Sequence, residues 1–147
     1  EKLNIKLYVG VSTQVGNYTD LWKAYEEATD ALRIGRKKLE NVVFIEDVQF
    51  ERAAMRDENK TYYQQFLYNT VAKLEEYDRI NNTDLMHTLL ILVENIGVRS
   101  KTAEALFLHR NTLLSRIRRI EEITGSDLSQ GEKLIEFGIA MKLRSII

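Results

Sequence analysis

The stretch Lys101–Gly125, KTAEALFLHRNTLLSRIRRIEEITG, constrains this 147-residue chain more than any other. Leu113, Ile117, Ile120 and Thr124 recur at spacings of four, three and four, which draws one apolar stripe down a helix. Asn111 is suited to cap its start and Gly125 to end it, so the spacing predicts a helix over about 111–124. Lys101–Phe107 before it is a shorter helical segment, and only a few residues separate the two. A short helix, a tight turn and a longer cationic helix form a helix-turn-helix, whose second helix enters the major groove of double-stranded DNA.

Any helical hairpin with a basic face imitates this pattern, so the distribution of charge decides its weight. The whole chain has a formal net charge of only −1. Residues 99–119, however, hold six Arg or Lys against one Glu, a local +5 that leaves −6 for the remainder. A basic island on an acidic body docks a polyanion in one orientation. The stripe leaves Arg110, Asn111, Ser115 and Arg118 on the opposite face, with Arg116 and Arg119 flanking it.

The residues themselves resemble a known family. Ala103, Leu106, the run His109-Arg110-Asn111-Thr112, Arg116 and the tail Ile120–Gly125 are similar to the C-terminal helix-turn-helix of PucR-type bacterial transcription regulators, which include carbohydrate-diacid regulators. Thr88-Leu89 upstream and the amphipathic segment Lys133–Leu143 downstream fit too, so the resemblance covers roughly residues 62–147. It implies a cytoplasmic transcription regulator that binds DNA, with any effector-sensing region outside this chain.

At the other end, Leu3–Val9 alternates apolar and polar residues, the period of a half-buried strand. A first strand with nothing before it to pair with points to a piece of a longer protein. Gly10–Asn17 reads as a loop, Thr19–Lys37 as a helix with Leu21, Tyr25, Ala28 and Leu32 on one face, and Val42–Ile45 as a second strand. Gly35 and Asn41 interrupt the helical pattern. Tyr8–Ser12 and Ala28–Leu32 resemble the closing strand and late helix of a GGDEF-type nucleotide cyclase domain, and PucR-type regulators often carry a degenerate version there. The Gly-Gly-acid-acid-Phe hairpin that names that family is absent, so no catalytic residue carries over.

The expected fold class is therefore α+β: a β-α-β fragment of a GGDEF-like domain (1–55), a linker (56–61), and an all-helical DNA-binding domain (62–147). Glu46–Lys60 lacks periodicity and reads as linker or a frayed short helix. Tyr62–Tyr77 reads as one helix with Tyr63, Phe66, Leu67, Thr70, Leu74 and Tyr77 on one side. Asn81, Asn82 and Thr83 supply turn chemistry before a helix over Asp84–Ile96, whose Leu85, Leu89, Leu92 and Ile96 make it the expected centre of the core. Gly97 stops it, and Ser100 could cap the next helix. Ser129 and Glu132 stand three apart, as in a capping box, ahead of a last helix over Glu132–Ile147. Besides Leu134, Phe137, Ala140 and Met141, that helix carries Ile135, Ile139 and Leu143, an excess that suggests a dimer partner or the upstream domain as a second contact.

Other chemistry finds little purchase. Cysteine is absent, His87 and His109 have no ligand-spaced neighbours, and the seven glycines form no phosphate loop. Glu26-Glu27 and Glu121-Glu122 read as solvated helix faces rather than catalytic pairs, and no apolar run is long enough to span a membrane. No catalytic, metal or cofactor site is expected. Phosphate contacts fall to Arg99, Lys101, Arg110, Arg116, Arg118 and Arg119, and base contacts to Asn111, Thr112, Ser115 and Arg118. His109 reads equally as a turn side chain bonded to backbone or as a phosphate contact. Leu114, off the stripe, reads as a thymine-methyl contact or as packing. One such domain reads few bases, so a homodimer on paired half-sites is expected. The rival readings are a protein-interaction module and the non-catalytic end of a nucleotide cyclase.

Overall fold

The computed structural model describes residues 6–55 and 60–146. It divides into two compact units: the first takes the described residues up to Thr61 with Ser145 and Ile146, the second runs from Tyr62 to Arg144.

In the first unit, strands β1 (Val9–Val11) and β2 (Val42–Phe44) pair in parallel, Val9 opposite Val42, with helix α1 (Leu21–Lys38) as the crossover. The expected first strand, Leu3–Val9, thus begins later: residues 1–5 lie outside the described ones, and Lys6–Tyr8 are not in the strand. Gly10, expected in a loop, sits inside β1 opposite Val43, so close to α1 that a Cβ there would meet the Ala28 carbonyl oxygen at 2.1 Å. Gly35 does not break α1 either. It is buried mid-helix, where a Cβ would come within 2.9 Å of the Val43 side chain. The end of α1 falls instead to Leu39, which takes the left-handed conformation (φ 60°).

The buried face of α1 is Glu27, Ala31, Ile34 and Gly35. Ala28 and Leu32 are half-buried, but Leu21 and Tyr25 of the same expected face are exposed. Three-residue strands cover only the later turns of an 18-residue helix. Glu27, expected to be solvated, is 4% exposed. Its Oε2 accepts hydrogen bonds from the Thr13 amide (3.1 Å) and hydroxyl (2.5 Å), and Arg52 lies 3.5 Å from Oε1. The hydroxyl bond chiefly holds this carboxyl below the usual carboxylate range, against the opposing pull of burial. Residues 46–54 are an ordered part of this unit rather than a linker: a 3₁₀ turn (Ile45–Val48) leads into α2 (Gln49–Ala54), with Ile45, Val48, Glu51 and Ala54 buried. Of the expected linker 56–61, residues 56–59 lie outside the described ones.

The second unit is helical. The single helix expected over Tyr62–Tyr77 is two, α3 (Lys60–Thr70) and α4 (Ala72–Asn81). The Thr70 hydroxyl donates back to the Phe66 carbonyl (2.8 Å), a bond that bends helices, and the break turns Val71 into the core. Asn82 closes α4 in the left-handed conformation. α5 (Leu85–Glu94) starts on the Asp78 carboxylate, which accepts from the amides of Leu85 (2.9 Å) and Met86 (2.7 Å). It touches α4, α6 (Arg99–Ala105), α7 (Arg110–Thr124) and α8 (Gly131–Arg144), and is the centre of the unit as expected. Ile96 is not in that core. The helix ends at Glu94, Ile96 turns outward at φ 52°, and Gly97 follows at φ 74°.

The core joins Leu74, Leu89, Leu92, Leu113, Ile117, Ile120, Phe137 and Ala140. The expected capping box at α8 does not form: the Ser129 amide (2.9 Å) and hydroxyl (2.6 Å) both donate to Asp127 Oδ1 in the loop before the helix. Those bonds lower the Asp127 pKa. α8 ends at Arg144, short of the expected Ile147.

Candidate nucleic-acid interface

The site is built by α6, a four-residue turn and α7. α6 begins two residues earlier than expected, after Val98, and Ser100 lies inside it rather than capping it. Buried Thr102 donates its hydroxyl to the Val98 carbonyl (2.9 Å), and Ala103 packs beside it against the core. The turn then closes on two backbone bonds, Phe107 to the Glu104 carbonyl (3.0 Å) and Leu108 to the Ala103 carbonyl (2.9 Å). Phe107 takes the left-handed conformation there (φ 53°) and is 96% exposed. Such a backbone costs a side-chain-bearing residue roughly 1 kcal/mol, so the tight turn is held by the packing on either side.

α7 is capped by His109 and not by Asn111. The His109 Nδ1 accepts the Asn111 amide at 3.3 Å, and its carbonyl accepts the Leu113 amide at 3.1 Å. With Nδ1 accepting, neutral His109 carries its proton on Nε2. The Asn111 side chain is thereby released from capping. Leu113, Ile117 and Ile120 are buried, Thr124 is half-buried, and Gly125 ends the helix at φ 69°.

The burial of one stripe leaves Arg110, Asn111, Thr112, Ser115 and Arg118 exposed on the other side of α7. Arg99, Lys101 and His109 are exposed as well, while Leu114 is half-buried. The two flanking arginines differ from these. Arg116 is half-buried and donates Nη1 to the Thr88 hydroxyl of α5 (3.0 Å). Arg119 donates to the Tyr77 hydroxyl (3.2 Å), pairs with Glu122 (2.6 Å) and lies over the Tyr77 ring at 4.8 Å. The Glu122 bond first, and Tyr77 second, raise its pKa. Glu121 of the other pair accepts the Leu128 amide (3.0 Å), so neither glutamate is simply solvated.

Beside α7 a hollow of about 380 Å³ is lined by Tyr77, Asn82, Thr83, Asp84, Leu85, Ser115, Arg116 and Arg119, so a carboxylate shares it with the two arginines. Sequence reasoning missed Tyr77 and Thr88 as partners of the arginines. A threonine flanked by Met86, Leu89 and Leu90 on an apolar helix was the available signal for Thr88.

An exposed polar and cationic row opposite a buried stripe, on the second helix of a tight helical pair, is the geometry of a DNA-reading helix. Residues 85–143 match the PucR C-terminal helix-turn-helix domain. This PucR-type domain spans α5 to α8, and it is a DNA-binding domain of transcription regulators, not an enzymatic one. The chain is 28% identical over 144 residues to the purine catabolism regulatory protein of Bacillus subtilis, covering 94% of this chain and 26% of that protein. It is 29% identical over 136 residues to the proline-responsive transcriptional activator PutR of Bacillus subtilis, covering 88% and 32%. With the carbohydrate diacid regulator of Escherichia coli it shares 36% identity over 77 residues, covering 52% and 20%. The chain thus spans a quarter to a third of the length of the first two. No solved structure matches. Among the described residues no helix is long and apolar enough to cross a membrane, and no cluster of His, Asp and Glu could hold a metal ion.

Proposed function

We propose that the protein is a cytoplasmic DNA-binding transcriptional regulator that inserts α7 into the major groove, as a homodimer on paired half-sites. The observation that carries this reading is the exposed row Arg110, Asn111, Thr112, Ser115 and Arg118 opposite the buried stripe of the PucR-type domain. Arg99, Lys101, Arg110 and Arg118 neutralise phosphates and steer the approach. His109, whose ring is exposed, joins them while its Nδ1 caps α7. Asn111, Thr112, Ser115 and Arg118 read base edges, since Asn pairs with adenine and Arg with guanine through two hydrogen bonds. Arg116 and Arg119, bound to Thr88 and to Tyr77 and Glu122, position α7.

In this reading residues 1–55 are the end of a degenerate GGDEF-like domain and 62–147 the DNA-binding domain, with the effector bound by regions outside this chain. The parallel strand-helix-strand of the first unit supports that assignment. The test is a nuclease footprint on the DNA upstream of the protein's own gene. A defined protected segment with two related halves is expected; uniform protection independent of sequence would overturn the reading.

A further inference from the structure

Leu106, Phe107 and Leu108 make up most of the turn between α6 and α7. Leu106 and Leu108 are half-buried, and Leu106 packs against the core. Phe107 between them is thrown outward, 96% exposed. Its backbone stands at φ 53°, the left-handed position just past a helix end that glycine fills at least cost. The amides of Phe107 and Leu108 reach back to the Glu104 and Ala103 carbonyls, which fixes the course of the turn. A phenylalanine here carries two costs at once, a strained backbone and an aromatic ring left in water. Its exposure leaves almost no contact within the fold to offset either of them. Strain of this kind concentrates where the side chain it displays meets a ligand.

The place of the turn in the motif selects that ligand. Phe107 stands two residues before His109, the cap of α7, and three before Arg110, its first residue. The chain can therefore separate its Cα from theirs by at most about 7 and 11 Å. In a helix-turn-helix the first helix crosses the sugar-phosphate backbone and the start of the second meets the bases, which sets the turn between them at the wall of the major groove. Lys101, His109, Arg110 and Asn111 are exposed on the flanking elements, and Glu104 is the one acid between residues 99 and 119. A lone ring in so cationic a segment suits a polyanion rather than an apolar protein surface. The apolar group that a base presents in the major groove is the C5 methyl of thymine. We infer that Phe107 is a specificity residue whose ring packs on a thymine methyl at the edge of the site read by α7. The inference rests on the groove reading proposed above and adds to it a contact that hydrogen bonds cannot supply. Removing one methyl group from water is worth about fourfold in affinity.

Uracil in place of thymine removes that methyl and nothing else. The whole chain is titrated onto duplexes carrying its cognate site, enriched from a random library, with each thymine in turn replaced by uracil. One replacement is expected to weaken the parent about fourfold and to leave Phe107→Ala unaffected. On the unsubstituted site Phe107→Ala should bind at least about fourfold more weakly than the parent. Phe107→Gly should bind as Phe107→Ala does and melt at or above the parent's temperature, because the left-handed backbone then carries no side chain. Melting below the parent would make the ring part of the packing and overturn the inference. If the alanine variant loses the same factor as the parent at every uracil, or the parent loses nothing at any of them, the methyl contact is overturned while the groove reading of α7 stands. A parent that binds cognate and random DNA alike would overturn both.

Discussion

Arg116 reaches from α7 to α5 and donates its Nη1 proton to the Thr88 hydroxyl at 3.0 Å. Thr88 is fully buried, and its own proton goes to the Asp84 carbonyl at 3.0 Å, so the hydroxyl is used as donor and acceptor at once. The bond fixes how α7 sits on the centre of the helical unit. Thr88→Val keeps the shape and removes the acceptor, and should cost about 1–3 kcal/mol, since a charged donor is left without its partner. In a double-mutant cycle with Arg116→Met, urea unfolding should show coupling between the two sites. Strict additivity would mean that the bond contributes nothing.

Scaffold and reading face of α7 separate under truncation. Leu113→Ala should lower stability by about 2–5 kcal/mol, because it empties a fully packed core position. Ser115→Ala, at an exposed position, should leave the melting temperature nearly unchanged. The reverse ranking in thermal unfolding would mean that the two faces of the helix are interchanged.

Much of this division can be read from the chain itself. Leu113, Ile117 and Ile120 announce their burial by spacing, and Gly125 ends α7 as its backbone freedom suggests. What spacing does not carry is competition among side chains. Asn111 is a good cap, yet α7 starts one residue before it, at Arg110, and His109 takes the cap position by accepting the Asn111 backbone amide. Ser129 and Glu132 form a capping pattern, but the Ser129 amide and hydroxyl both turn back to the Asp127 carboxylate in the preceding loop. Thr70 breaks a continuous apolar stripe with one hydroxyl bond, and Gly35 is demanded by a strand that comes close only after folding. The roles of Arg116 and Arg119 were equally hidden, because Thr88 and Tyr77 are distant in sequence.

In the first unit, Glu27 should make stability depend on pH. Its carboxyl is held below the ordinary range, chiefly by the Thr13 hydroxyl, so the folded state favours the ionised form. The resulting stability is present above the ordinary carboxylate value, about pH 4.3, and is lost as pH falls through the lower folded value. Glu27→Gln should therefore destabilise the unit at pH 7 by about 1–3 kcal/mol. Its deficit against the parent should shrink as melting is measured toward pH 3. A deficit independent of pH would assign the loss to packing instead.

Salt dependence counts the free cations. With Arg116 and Arg119 held by partners within the domain, Arg99, Lys101, Arg110 and Arg118 remain for phosphates. The logarithm of affinity should then fall with the logarithm of salt at a slope of about −4 per copy. A slope near −6 would mean that both held arginines leave their partners on binding, and one near zero that no phosphate is contacted.

The central claim, that the exposed row of α7 reads sequence, is tested most directly at Asn111. DNA duplexes enriched from a random library by the parent supply the cognate site, and Asn111→Ser is compared with the parent on that site and on random DNA. Because His109 caps the helix, the variant should fold and melt like the parent. The account predicts that the ratio of cognate to random affinity falls by a factor equivalent to about 1–3 kcal/mol, the worth of one paired base contact. An unchanged ratio would contradict the reading role of Asn111, and unchanged ratios in Arg118→Ala and Ser115→Ala as well would contradict the claim for the whole face.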